Sequence, residues 1–135
     1  MADRTLWVSF PGGVRVDVSY KGFVIRTDQP VDEEGTNSAP APFDLFLASI
    51  AACAGYYVVA FCRPREIPTE GVSVSMRTER NPETKMISKI SIDIALPPGF
   101  PEKYRAAIIK AVDQCTVKRL ILNPPAFEIT AKPAS

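Results

Sequence analysis

The sequence predicts an α+β fold, with strands and helices grouped rather than alternating one by one. Three patterns in it carry that prediction. One stretch, Leu45 to Cys62, has no charged residue. Segments on both sides of it alternate apolar and polar residues with the period of a strand. A shorter stripe near the C-terminal end has the period of a helix. The predicted order is βββ-α-ββ-α-α-β, with a long buried central helix. The 135 residues are read as a single domain, 1–135, large enough for a core of its own.

Leu6, Val8 and Phe10 alternate with Thr5, Trp7 and Ser9 as a first strand, and Pro11-Gly12-Gly13 is a turn. Val14, Val16, Val18 and Tyr20 form a half-buried second strand. Lys21-Gly22 makes a tight hairpin turn into a third, Phe23 to Thr27. Asp28 to Ala41, rich in Pro, Asp, Glu, Gly, Asn and Ser, is a loop long enough to be functional. The central helix is expected over Pro42–Cys62. Proline suits its first turn, Asp44 favours its dipole there, and Arg63-Pro64 stops it. It is roughly 30 Å long. Apolar on all sides, it is expected to be covered all round. That length also meets the requirement for a membrane span. The small residues Ala51-Ala52-Cys53-Ala54-Gly55, the Tyr56-Tyr57 pair and the flanking amphipathic strands argue instead for a core helix.

After a connector at Pro64–Gly71, Val72, Val74, Met76 and Thr78 alternate with polar residues. Asn81-Pro82-Glu83-Thr84 turns the chain, and Ile90, Ile92, Ile94 and Leu96 alternate in the return strand. The two strands predict an antiparallel hairpin with one wet face. Beyond Pro97–Pro101 a helix starts near Glu102. Its stripe of Tyr104, Ile108, Ala111 and Cys115 is expected to point inward. A short helical piece follows over Thr116–Leu120, Asn123-Pro124-Pro125 ends it, and Phe127, Ile129 and Ala131 predict a last strand.

The net charge of +1 favours neither nucleic acid nor an anionic membrane surface. The start, Met1-Ala-Asp-Arg-Thr, lacks the apolar core of a signal peptide, so a cytoplasmic location is expected, where thiols stay reduced unless catalytic or redox-sensing. The chain contains no histidine, which removes Ser-His-Asp and Cys-His catalysis and His-containing zinc sites. Phosphate-binding glycine motifs are missing too; no cofactor or metal is expected.

The cysteines are therefore the candidates for chemistry. Each also has a plain reading as a small buried residue. Cys53 lies among small residues in mid-helix. Cys115 has Lys118 and Arg119 three and four positions on, placed to favour a thiolate if the helix continues. Cys62 ends the central helix beside Arg63 and Arg65, where the helix terminus and the arginines act in opposite directions. Cys53 and Cys62 are nine positions apart, about 180° around a helix, so they cannot meet. Cys53 and Cys115, on different elements, can.

Asp28-Gln-Pro, the loop ending Gly35-Thr-Asn, the helix entry Pro42-x-x-Leu45, Leu47-Ala-Ser-Ile-Ala-Ala-Cys53 and Gln114-Cys115-x-Val117 together resemble the OsmC/Ohr family of osmotically inducible and organic hydroperoxide resistance proteins. The resemblance extends over nearly the whole chain. It implies an OsmC-like fold, an intertwined homodimer and thiol peroxidase chemistry on organic hydroperoxides. Cys53 would be the peroxidatic cysteine, oxidised to a sulfenic acid. Cys115 would resolve it as a disulfide, and a dithiol such as a lipoyl protein would reduce that bond. It further implies an arginine from the N-terminal strands near the thiolate, with Arg15 the nearest match and Arg26 a rival. Phe43 and Asp44 fall at the substrate pocket. Phe43 occupies the position ten before the first cysteine where peroxide-reducing members carry glutamate, and Thr116 follows the second cysteine where proline is common. The alternative from another class is an OsmC-fold protein that binds an apolar ligand or senses redox state with little turnover.

Overall fold

The structure, a computed structural model, describes residues 4–134. It comprises two compact units that divide between Ala48 and Ser49.

The first unit is an antiparallel meander of β1 (Trp7–Gly12), β2 (Arg15–Tyr20) and β3 (Phe23–Thr27), in the order β1-β2-β3. Val8 pairs with Val18 and Val18 with Ile25, so the alternation of the sequence sets the register. Lys21 and Gly22 have φ of 52° and 83°, the backbone of the primed turns that match strand twist. The first hairpin differs from expectation. Pro11 and Gly12 lie in β1 rather than in the turn, and the ladder shifts register between Ser9 and Gly12. Proline is tolerated there because β1 is an edge strand, and a bulge absorbs the extra residue.

The loop after β3 is closed around the buried carboxylate of Asp28. Asp28 Oδ2 accepts hydrogen bonds from the N–H groups of Thr36 (3.3 Å) and Ser38 (3.0 Å) and from their hydroxyls (2.7 and 2.6 Å). Oδ1 accepts from the N–H of Gln29 (2.8 Å). These donors stabilise the ionised form and hold this carboxyl well below the usual carboxylate range. Gly35 faces the Gln29 carbonyl so closely that a Cβ would lie 1.9 Å from its oxygen, and no other residue fits.

The central helix, α1 (Pro42–Cys62), has the predicted bounds. Asp44, its third residue, reaches back to accept from the Ala41 N–H (3.2 Å), half of a capping box. The chain leaves through a single turn at Arg63–Arg65.

The second unit contains the hairpin β4 (Ser73–Arg80) and β5 (Ile87–Ala95), then α2 (Arg105–Val112) and α3 (Thr116–Leu122). Val74 pairs with Ile94 and Met76 with Ile92. The Asn81 side chain accepts from the N–H groups of Glu83 and Thr84 and sets the turn between the strands. The core gathers Ala54, Val58, Phe61, Cys62, Phe100, Ile108 and Val112, with Ile92, Ile94 and Tyr104 packed against it.

Two expectations are met only in part. Ile50, Ala54, Val58, Phe61 and Cys62 form one buried stripe of α1, while Tyr56 and Val59 on the other side are exposed; within this chain the helix is covered on one face, not all round. The expected last strand at Phe127–Ala131 is not formed: the segment has no regular structure, no strand among the described residues pairs with it, and Phe127 and Ile129 are exposed. α1 remains the only helix among the described residues long and apolar enough to cross a membrane, but its buried stripe belongs to the core, as expected of a core helix.

Candidate functional site

Seen down its axis, α1 presents Cys53 and Cys62 on opposite flanks of its buried stripe. Cys62 is fully buried among core side chains. Burial pushes its thiol up, and the Arg65 charge offsets only part of that. Arg65 itself stacks 3.9 Å over the Phe61 ring and donates to the Phe61 carbonyl (2.8 Å), so it braces the helix end. Cys62 is thus a core residue, held as a neutral thiol.

Cys53 is half-buried on the other flank. Cys115 meets it there, but not as the end of the α2 stripe. The α2 helix stops at Val112, and Cys115 is the residue that precedes α3, with an extended backbone. Its N–H donates to the Val112 carbonyl (3.1 Å) and its carbonyl accepts from Arg119 (3.0 Å). That turn aims the side chain inward, and the residue is 1% exposed.

The two thiols respond in opposite directions. Burial pushes Cys53 up. Hydrogen bonds from the Cys115 thiol and from the N–H groups of Val117 and Thr116 outweigh it, and the Cys53 thiol lies below its ordinary value. Cys115 is pushed up, first by burial, then by its hydrogen bond to Cys53 and repulsion from it. Of the two thiols, that of Cys53 is the more acidic.

The charges expected to act on Cys115 do not do so. Lys118 pairs with Asp113, and no charge–charge attraction from Lys118 or Arg119 acts on the thiol. Arg15 lies on β2, where its Nε donates to the Gly12 carbonyl (3.3 Å). With Arg26, Asp17, Thr27 and Ser38 it lines a cavity of about 370 Å³ in the first unit. Phe43 is 49% exposed and stacks on Phe46, with ring centroids 5.7 Å apart, while Asp44 caps α1.

Two contributors were not singled out from the sequence. The N–H groups of Thr116 and Val117 belong to the backbone, which no side-chain motif reports. Tyr57 was read only as part of a mid-helix tyrosine pair. It lies one turn beyond Cys53 on the same face, and its hydroxyl is 2.9 Å from Thr116 Oγ1.

Residues 35–130 match the family model described as OsmC-like protein. No curated protein matches the chain. Among solved structures, a protein described as an osmotic stress induced and detoxification response protein from Psychrobacter arcticus superposes with a TM-score of 0.72, at 23% identity over 88% of this chain and 88% of that one. An OsmC-like protein from Mycoplasma pneumoniae gives 0.69, at 14% identity over 91% and 89%. A Legionella pneumophila protein described as an organic hydroperoxide resistance protein, OsmC, gives 0.57, at 22% identity over 90% and 91%. The likeness of fold extends over nearly the whole chain, and the family match takes in both Cys53 and Cys115. This chain belongs to the family of OsmC-like proteins.

Proposed function

We propose that the protein is a thiol peroxidase that reduces organic hydroperoxides through Cys53 and Cys115. The observation that carries this reading is the placement of half-buried Cys53 beside buried Cys115, and the opposite directions in which the two thiols are shifted support it. The name of the Legionella pneumophila relative points the same way. In the first step the Cys53 thiolate attacks a peroxide oxygen. An S–O bond forms, the O–O bond breaks, and the alkoxide leaves and takes up a proton to give the alcohol. Cys53 is oxidised by two electrons to the sulfenic acid.

Burial still raises Cys115 after that step, but the contributions from its hydrogen bond to the Cys53 thiolate and from repulsion by it are lost. A neutral sulfenic acid neither repels a second thiolate nor accepts its hydrogen bond as strongly, so Cys115 ionises more readily. Its sulfur attacks Cys53 Sγ, the S–S bond forms, and hydroxide leaves as water with the released proton. A dithiol, such as a lipoyl protein, then restores both thiols by two exchange steps. Such turnover needs a reducing compartment, which the cytoplasm supplies.

In this reading Arg15 supplies further positive charge to the thiolate, with Arg26 as its rival, and Phe43 and Asp44 belong to the substrate pocket. The working unit is an intertwined homodimer. The uncovered apolar face of α1 and the unpaired Phe127–Ala131 segment support it, since each needs cover that one chain does not provide. The two units of the chain then act as halves of one domain.

One observation favours a second reading, an apolar-ligand or redox-sensing protein with little turnover. Ile90, Ile92, Ile94, Ile109 and Val112 wall a cavity of about 450 Å³, rimmed by Asp93, Asp113 and Lys118. Steady-state consumption of cumene hydroperoxide with dithiothreitol or a reduced lipoyl donor separates the two. Sustained turnover by the wild type, none in Cys53→Ser and a single turnover in Cys115→Ser are expected. A stoichiometric oxidation without turnover in the wild type would favour the sensor.

A further inference from the structure

Cys53 and Cys115 sit on different elements, and the activity proposed above needs their sulfurs to be held together. One side-chain hydrogen bond ties those two elements beside the pair. Tyr57 follows Cys53 by one turn of α1, and Thr116 follows Cys115 directly as the first residue of α3. The Tyr57 hydroxyl and Thr116 Oγ1 are 2.9 Å apart. The N–H groups of Thr116 and of Val117 beside it are also among the donors that lower the Cys53 thiol. A residue that anchors its side chain to α1 therefore carries a donor for the sulfur on α1.

We propose that the Tyr57–Thr116 hydrogen bond is a positioning clamp for the thiol pair, fixing the Thr116 and Val117 N–H groups and the Cys115 thiol against Cys53. Tyr57 and Thr116 are positioning residues; neither exchanges bonds in the reaction. The rotation of α3 about Cys115 is what the clamp restrains. Without it the turn at Cys115 is free to swing, and the donors lose their aim within a few tenths of an ångström. The inference rests on Cys53 being the reacting thiol, and its test does not depend on peroxide turnover.

The test is the pH profile of Cys53 alkylation by iodoacetamide, followed site by site by peptide mass spectrometry. In the wild type the midpoint should lie below that of an ordinary thiol. Tyr57→Phe and Thr116→Val each remove the clamp and keep both N–H groups. Each should raise the midpoint by roughly half a unit to one unit, about a three- to tenfold loss of thiolate below it. The double variant should shift no further than either single one, because the two remove the same bond. Thr116→Ser, which keeps the hydroxyl, should restore the wild-type profile. Thr116→Pro suits the first helical position and leaves α3 formed, yet deletes both hydroxyl and N–H, so its shift should be the largest. A merely structural bond would change thermal stability and leave these midpoints in place. Coincident profiles for the wild type, Tyr57→Phe and Thr116→Val, or strictly additive shifts in the double variant, would overturn the clamp. A wild-type midpoint at the ordinary thiol value would overturn both the clamp and the peroxidase reading.

Discussion

At the scale of residues, the sequence motifs acquire separate physical reasons. Asp28 and the Gly35-Thr36-Asn37 run are the two sides of one loop closure: the carboxylate gathers five donated hydrogen bonds, and Gly35 leaves room for the Gln29 carbonyl. Asp28 has a folded-state value depressed below its unfolded one. Its stabilisation is therefore complete above the unfolded value near ~4 and is lost as pH falls through that value towards the folded one. Asp28→Asn puts an amide N–H against other donors and should lower the melting temperature clearly at pH 7. The difference from the wild type should shrink below about pH 4, where the wild type begins to protonate. A gap independent of pH, measured by thermal melts, would show that the carboxylate charge contributes nothing. Phe43 offers the second residue-level prediction. Phe43→Glu should raise hydroperoxide turnover several-fold by adding a carboxylate to orient a thiolate-stabilising arginine. An unchanged rate in a folded variant would remove this position from the mechanism.

At the scale of elements, α1 was the most legible part of the chain, because both its ends are marked by local chemistry. Pro42 and Asp44 open it, and Arg63-Pro64 closes it. The inward aim of Cys115 was legible too, but for another reason than helical periodicity. A break after Val112 ends the stripe, and the turn before α3 supplies the aim. Backbone donors to Cys53 were not legible, since any residue but proline carries an N–H. What periodicity could not show is which face of an all-apolar helix stays uncovered. Tyr56 and Val59 mark that face, at 63% and 43% exposure. If it is the dimer contact, Val59→Glu should leave the monomer fold intact and shift association to the monomer by at least tenfold, since an unpaired charge in an apolar contact costs several kcal/mol. Analytical ultracentrifugation with circular dichroism checks it, and a variant that still forms a full dimer would move the contact elsewhere.

At the scale of the whole molecule, the same sequence carries signals that one chain alone does not use. The strand period at Phe127–Ala131 is such a signal. A strand needs a neighbour's hydrogen bonds, and the segment has the strand period without forming a strand among the described residues. Trp7, Phe10 and Phe23 on the N-terminal sheet are large and exposed in the same way. The proposed intertwined homodimer would cover these surfaces together, and light scattering at micromolar concentration should give twice the mass of one 14.8 kDa chain. The proposed site rests on the pairing of Cys53 with Cys115 and on the isolation of Cys62 in the core. The most direct test of that arrangement is peptide mapping by mass spectrometry, without reductant, after one equivalent of an organic hydroperoxide. The expected product is an intramolecular Cys53–Cys115 disulfide with Cys62 recovered as a free thiol; a disulfide that includes Cys62, or a Cys53 left unoxidised, would contradict it.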